Sequence, residues 1–77
     1  MPPKTHKLND KINLRISKNI RRLLVKKSWT VERLGIEADY DKSNLYSLMG
    51  GRLNYTVRSM AALAEALQVD IAEFFKK

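Results

Sequence analysis

Apolar residues in the first third of the chain recur at the spacing of one helical face. Ile16, Ile20, Leu23 and Leu24 follow an i, i+4, i+7, i+8 pattern, which predicts a first helix from near Asn13 to Lys27. Just before it, Ile12, Leu14 and Ile16 alternate with Lys11, Asn13 and Arg15 at period two, as a short strand also would. Helix is the preferred reading, with strand left open for residues 11–15.

Beyond Ser28 one start signal occurs four times. Each has a capping residue with an apolar residue before it and another four positions into the helix, the hydrophobic staple. The sets are Trp29-Thr30-Leu34, Tyr40-Asp41-Leu45, Tyr55-Thr56-Met60 and Val69-Asp70-Phe74, the last with Glu73 placed to complete a capping box. They predict helices over 31–38, 42–49, 57–67 and 71–76, with Gly50-Gly51 stopping the third. The fold class that follows is all-α, with five helices over residues 13–77. Residues 1–12, with Pro2 and Pro3, are expected to form a basic, flexible arm.

Within "TVERLGIEADYDKSNLYSLMGGR" the inward positions are Leu34, Ala38, Tyr40, Leu45 and Leu48, and Gly35 stands where two helix backbones approach closely. This spacing suits two short helices crossing steeply through a tight turn, the form of a helix-turn-helix made by the second and third helices. The turn falls at Asp39, where a left-handed backbone is needed and Asp is one of the few non-glycine residues that tolerate it. Helical hairpins without affinity for DNA share the pattern, so it does not fix function.

Charge narrows the choice of partner. The 77 residues carry a net charge of +7, which favours a polyanion. Nine of the fifteen Lys and Arg lie in residues 1–27 beside a single acid, Asp10, while the rest of the chain holds six basic and seven acidic groups. Charge alone fits a solvated helix face equally well. With no Cys, neither a disulfide nor a thiolate metal site supports so small a core, and packing or a second subunit must do so. No apolar run reaches the length of a membrane span and the first residues lack a secretory signal, so a cytoplasmic, prokaryotic setting is expected. An enzyme is disfavoured, since the only His is His6 and no carboxylates are expected to converge. No metal site, cofactor or small-molecule substrate is expected.

The segments "NIRRLLVKKSWT", "LGIEADYDKSNLYSL" and "GGRLNYTVRSMAALAEALQVDIAEFF" together resemble the lambda-repressor-like helix-turn-helix proteins, the Cro and phage-repressor type also called XRE, from Ile16 to Phe75. The resemblance implies a compact five-helix domain that binds double-stranded DNA, with the third helix in the major groove. By family position the base-contacting residues are Lys42, Ser43, Asn44, Tyr46 and Ser47. Lys42 suits guanine O6 and N7, Asn44 suits adenine, and serines serve a base or a phosphate. Tyr46 could equally cover the core. Thr30, Arg52, Asn54 and Thr56, near helix starts and in the loop after the third helix, are the expected phosphate contacts. Lys4, His6 and Lys7 either wrap the duplex or form a loose tail.

Two departures from the family pattern stand out. Val31 replaces the Gln that in the family touches a phosphate and braces the reading helix. Leu24 and Met49 occupy the positions of a frequent Arg–Glu pair, and both charges are gone together, the change that strands no buried charge. The expected function is that of a sequence-specific transcriptional regulator, of the phage Cro, restriction-modification controller or antitoxin type. It would act as a homodimer on a palindromic or pseudo-palindromic operator, with Leu53, Tyr55, Ile71 and Phe75 as candidate dimer residues and Phe74 turned inward. The alternative is a protein-interaction adaptor or antirepressor that keeps the fold without specific DNA binding.

Overall fold

The computed structural model describes the backbone of residues 4–77 and the side chains of residues 8–77, so the side chains of Lys4, His6 and Lys7 in the expected arm lie outside the described residues. Four α-helices follow in order: α1 (Lys4–Lys27), α2 (Val31–Glu37), α3 (Lys42–Met49) and α4 (Val57–Leu67). A 3-10 segment, η1 (Ile71–Phe75), closes the chain, and no strand occurs among the described residues.

The first helix begins at Lys4, well before Asn13, so the expected boundary between arm and domain at residue 12 falls inside α1. No Gly or Pro interrupts residues 4–27, and Ile12 packs partly against the core, which anchors the earlier turns. The period-two pattern resolves as helix: Ile16 is 1% exposed while Leu14, two residues away, is 56% exposed. A strand would have placed both on one face.

All four expected caps form. The side chains of Thr30, Asp41 and Thr56 each accept from the backbone N–H three residues on, at 3.0 Å, and Asp70 accepts from the N–H of Ala72 at 2.8 Å. The capping box is at Thr56, where Ser59 Oγ accepts from the Thr56 N–H at 2.8 Å, and not at Asp70. Glu73 is drawn away instead by Lys76 Nζ at 3.0 Å and Arg22 Nη2 at 3.5 Å.

Each α-helix ends the same way, with one left-handed residue and a hydrogen bond from the next N–H back to the fifth residue before it. The left-handed residues are Ser28 (φ 60°), Asp39 (φ 51°), Gly51 (φ 85°) and Gln68 (φ 58°). Their closing bonds are Trp29 N–H to Leu24 O, Tyr40 N–H to Gly35 O, Arg52 N–H to Ser47 O and Val69 N–H to Ala64 O, all within 2.8–3.0 Å. This arrangement satisfies carbonyls that the helix itself leaves unpaired. Asp39 behaves as expected from its sequence. At Ser28 and Gln68 the closing bond offsets part of the cost, of about 1–2 kcal/mol, that a side chain ordinarily incurs there.

The core lies between α1 and the four shorter elements. Ile16 and Ile20 of α1 meet Leu34, Leu45, Leu48, Leu63, Leu67 and Phe74, each 2% exposed or less. Leu24 and Met49 are both buried in the same cluster. The fifth expected helix, 71–76, is the 3-10 segment η1. Phe74 is fully buried, and Asn19 Nδ2 sits 2.8 Å from the carbonyl oxygens of both Phe74 and Lys76. Those carbonyls are thus bound by a side chain rather than by a further helical turn.

Candidate nucleic-acid interface

The geometry of the α2–α3 hairpin starts at Gly35. A Cβ on this residue would lie 3.2 Å from the Tyr40 carbonyl oxygen and 3.7 Å from Leu45 Cδ2, so a side chain would push the turn away from α2. With Asp39 left-handed, the chain reverses in a few residues and α3 packs against α2 through Leu34, Leu45 and Leu48. Ala38 and Tyr40 are half-buried beneath the turn, as their spacing predicts.

Asp41 caps α3 with its carboxylate, which leaves the side chains of Lys42, Ser43 and Asn44 exposed together in the first turn. Tyr46 is 46% exposed and Ser47 half-buried. The Tyr46 hydroxyl donates to the Glu32 carboxylate, tying the first turn of α2 to the middle of α3. That hydrogen bond is the main reason the Glu32 carboxyl is held below its ordinary value of 4.5, with the Lys42 charge adding to it, and it raises the Tyr46 phenol above its ordinary 10.0. Sequence reasoning did not single out Glu32. Its signal was an acid one residue after Val31, where the family's bracing Gln is missing.

The remaining expected contacts lie outside α3, at the starts of α2 and α4 and in the loop after α3. Thr30 and Thr56 are exposed, but their hydroxyls are engaged as caps. Arg52 is exposed in the loop after α3. Asn54 Oδ1 accepts from Asn13 Nδ2 at 2.6 Å, which ties that loop to α1. Arg33, nearby on α2, is occupied by the Trp29 ring at 4.7 Å and by Glu37 at 3.2 Å. Glu32, Asp39, Asp41 and Lys42 line an open cleft of about 550 Å³ beside the start of α3, so the face carries both signs of charge.

The four candidate dimer residues do not form one surface. Tyr55 is 9% exposed and its hydroxyl lies 2.8 Å from Ser17 Oγ, so it belongs to the core. The loop carrying Leu53 and Tyr55 meets the Asn13–Ser17 flank of α1, whereas η1 meets the Asn19–Arg22 flank. Leu53 (44% exposed) is therefore separated from Phe75 (40% exposed) and the half-buried Ile71 by α1 itself. Spacing along the chain could not reveal that separation.

No helix among the described residues is long and apolar enough to cross a membrane. No curated protein matches the chain, and no solved structure does. The family model for the Cro/C1-type helix-turn-helix DNA-binding domain matches residues 19–76, which span α2, α3, α4 and η1 and the second half of the α1 core face. The chain belongs to the Cro/C1-type helix-turn-helix DNA-binding family.

Proposed function

We propose that the chain is a sequence-specific transcriptional regulator whose helix-turn-helix is α2 and α3, with α3 reading the major groove of an operator. The observation that carries this reading is the first turn of α3, where the consecutive residues Lys42, Ser43 and Asn44 are all exposed on a helix capped by Asp41. Lys42 donates to guanine, Asn44 pairs with adenine, and Ser43, Ser47 and Tyr46 complete the contacts. The exposed Arg52, with Thr30, Asn54 and Thr56, sets the register on phosphates. The working form is a homodimer on a palindromic or pseudo-palindromic operator, joined through Ile71 and Phe75, as expected of a Cro-type repressor, a restriction-modification controller or an antitoxin-type regulator.

A mobility-shift titration on a duplex selected from random oligonucleotides tests the assignment. Lys42→Ala weakens specific binding by about 1–3 kcal/mol and relaxes preference at one base pair. Arg52→Ala weakens all duplexes alike and lowers the salt slope by about one. Unchanged selected-site affinity in both variants removes α3 and its loop from the interface. The acids Glu32, Asp39 and Asp41 around the cleft favour a second reading, an adaptor that binds protein through this face. Salt-insensitive binding of a protein, with no duplex bound, would establish it.

A further inference from the structure

The positive charge of this protein is not concentrated on α3. Lys11, Arg15, Lys18 and Arg22 recur along α1 at i, i+4, i+7 and i+11, the spacing of a single stripe. At 1.5 Å per residue the stripe is about 16 Å long. Lys76 and Lys77 border it from the end of η1, and the six cations line a groove of about 790 Å³ with Leu14 and Asn19. Among the described residues Glu73 is the only acid in contact with any of them, and it pairs with Arg22 and Lys76. Lys11, Arg15, Lys18 and Lys77 have no acidic partner among the described residues.

Position makes this stripe separate from the face that includes α3. The loop after α3 bonds to Asn13 and Ser17 on one flank of α1, and η1 bonds to Asn19 and Arg22 on the other. The stripe lies on the η1 flank. We propose that it is a second, sequence-independent DNA surface, gripping the phosphate backbone of a duplex segment other than the one seated on α3.

The occupant follows from the chemistry of the groove. Duplex DNA offers one negative charge per about 1.7 Å of axis, so a rod of cations about 16 Å long faces several phosphates at once. No aromatic side chain lines the groove on which a single-stranded base could stack. Leu14 is its one apolar residue, too little for insertion into a lipid surface. A chain with both surfaces joins two duplex segments. The inference rests on α3 as the first DNA surface, and the test separates the two.

The native 77-residue chain, bound to a bead-immobilised selected duplex, is offered a labelled 30-base-pair duplex of random sequence. The expected result is capture of the second duplex, falling steeply with salt. Lys11→Gln/Arg15→Gln/Lys18→Gln, all exposed positions, reduces capture at least tenfold and lowers its salt slope by about 2.7, while binding of one selected duplex changes less than threefold. The charge-conserving Lys11→Arg/Arg15→Lys/Lys18→Arg retains capture, and circular dichroism melts show both variants folded. If the native chain binds one duplex through Lys42 and Arg52 but captures no second, or if the Gln variant captures as well as native, the inference is overturned and the function of α3 stands. Stripe-dependent binding to an acidic peptide or to anionic vesicles, without capture, overturns it too. Failure of the native chain to bind any duplex sinks both readings.

Discussion

The α2–α3 hairpin consists of helices of seven and eight residues, held by buried leucines and by side-chain caps at exposed ends. The α1–η1 seam joins a 24-residue helix to a five-residue 3-10 segment through Phe74 and the double clamp of Asn19. The hairpin carries acids and bases together beside exposed Lys42, whereas the η1 flank of α1 carries bases almost alone. Isolated helices of that length are marginal and depend on caps and on the scaffold behind them. The long helix supplies that scaffold, and its far flank is left free for charge. On the proposed reading, shape-specific chemistry and bulk electrostatics sit on different elements of one small domain.

Changes placed on either side of this division should behave differently. The largest effect is expected where the two regions meet. Leu24→Arg puts an uncompensated charge among buried side chains and should cost about 3–5 kcal/mol in thermal melts. Adding Met49→Glu should recover part of that loss, since both positions lie in one buried cluster. Equal damage in the single and double variants would mean that the two side chains do not share a site.

Next comes the clamp. Asn19→Ala leaves the carbonyls of Phe74 and Lys76 without their side-chain donor and should lower stability by about 1–3 kcal/mol. Below its melting temperature this variant should bind a selected duplex as native does, because nothing on α3 changes. Asp41→Ala should show the reverse balance. Loss of the α3 cap costs about 1 kcal/mol of stability. It should also reduce selected-site affinity beyond the stability loss, as the first turn holding Lys42, Ser43 and Asn44 frays.

The smallest expected effect is a difference in alkaline behaviour between two tyrosines. Burial raises the Tyr55 phenol above its ordinary value of 10.0, against a partial pull back from Ser17. A folded-state value raised above the unfolded one gives stability that is complete below about pH 10 and is lost as pH rises through the folded value. Melts between pH 9 and 11 should therefore show an alkaline decline that Tyr55→Phe reduces. Tyr46 is raised mainly by its bond to Glu32, and as an exposed group its replacement by Phe should leave the decline nearly unchanged. An identical profile for the two variants would contradict the assignment of Tyr55 to the core.

The elements of this protein could be read from its sequence because they depend on local chemistry. Four staples and caps located α2, α3, α4 and the start of η1 within a residue, since a capping side chain acts on N–H groups two or three positions away. Gly35 and Asp39 likewise marked a close approach and a left-handed turn that the folded chain contains. Contacts distant in sequence escaped that reading. Ser17–Tyr55, Asn13–Asn54, Asn19–Phe74 and Glu32–Tyr46 are pairings between elements, chosen by how the helices cross rather than by spacing along any one of them. The 3-10 form of η1 has the same origin, because a clamp from α1 takes up carbonyls that a further helical turn would have needed. Tertiary structure also decided that α1 divides Leu53 from Phe75, and that six of the fifteen Lys and Arg gather along one groove on the η1 flank of α1. A helix shows its periodicity in its own residues, but which flank meets which neighbour is settled only when the core closes around it.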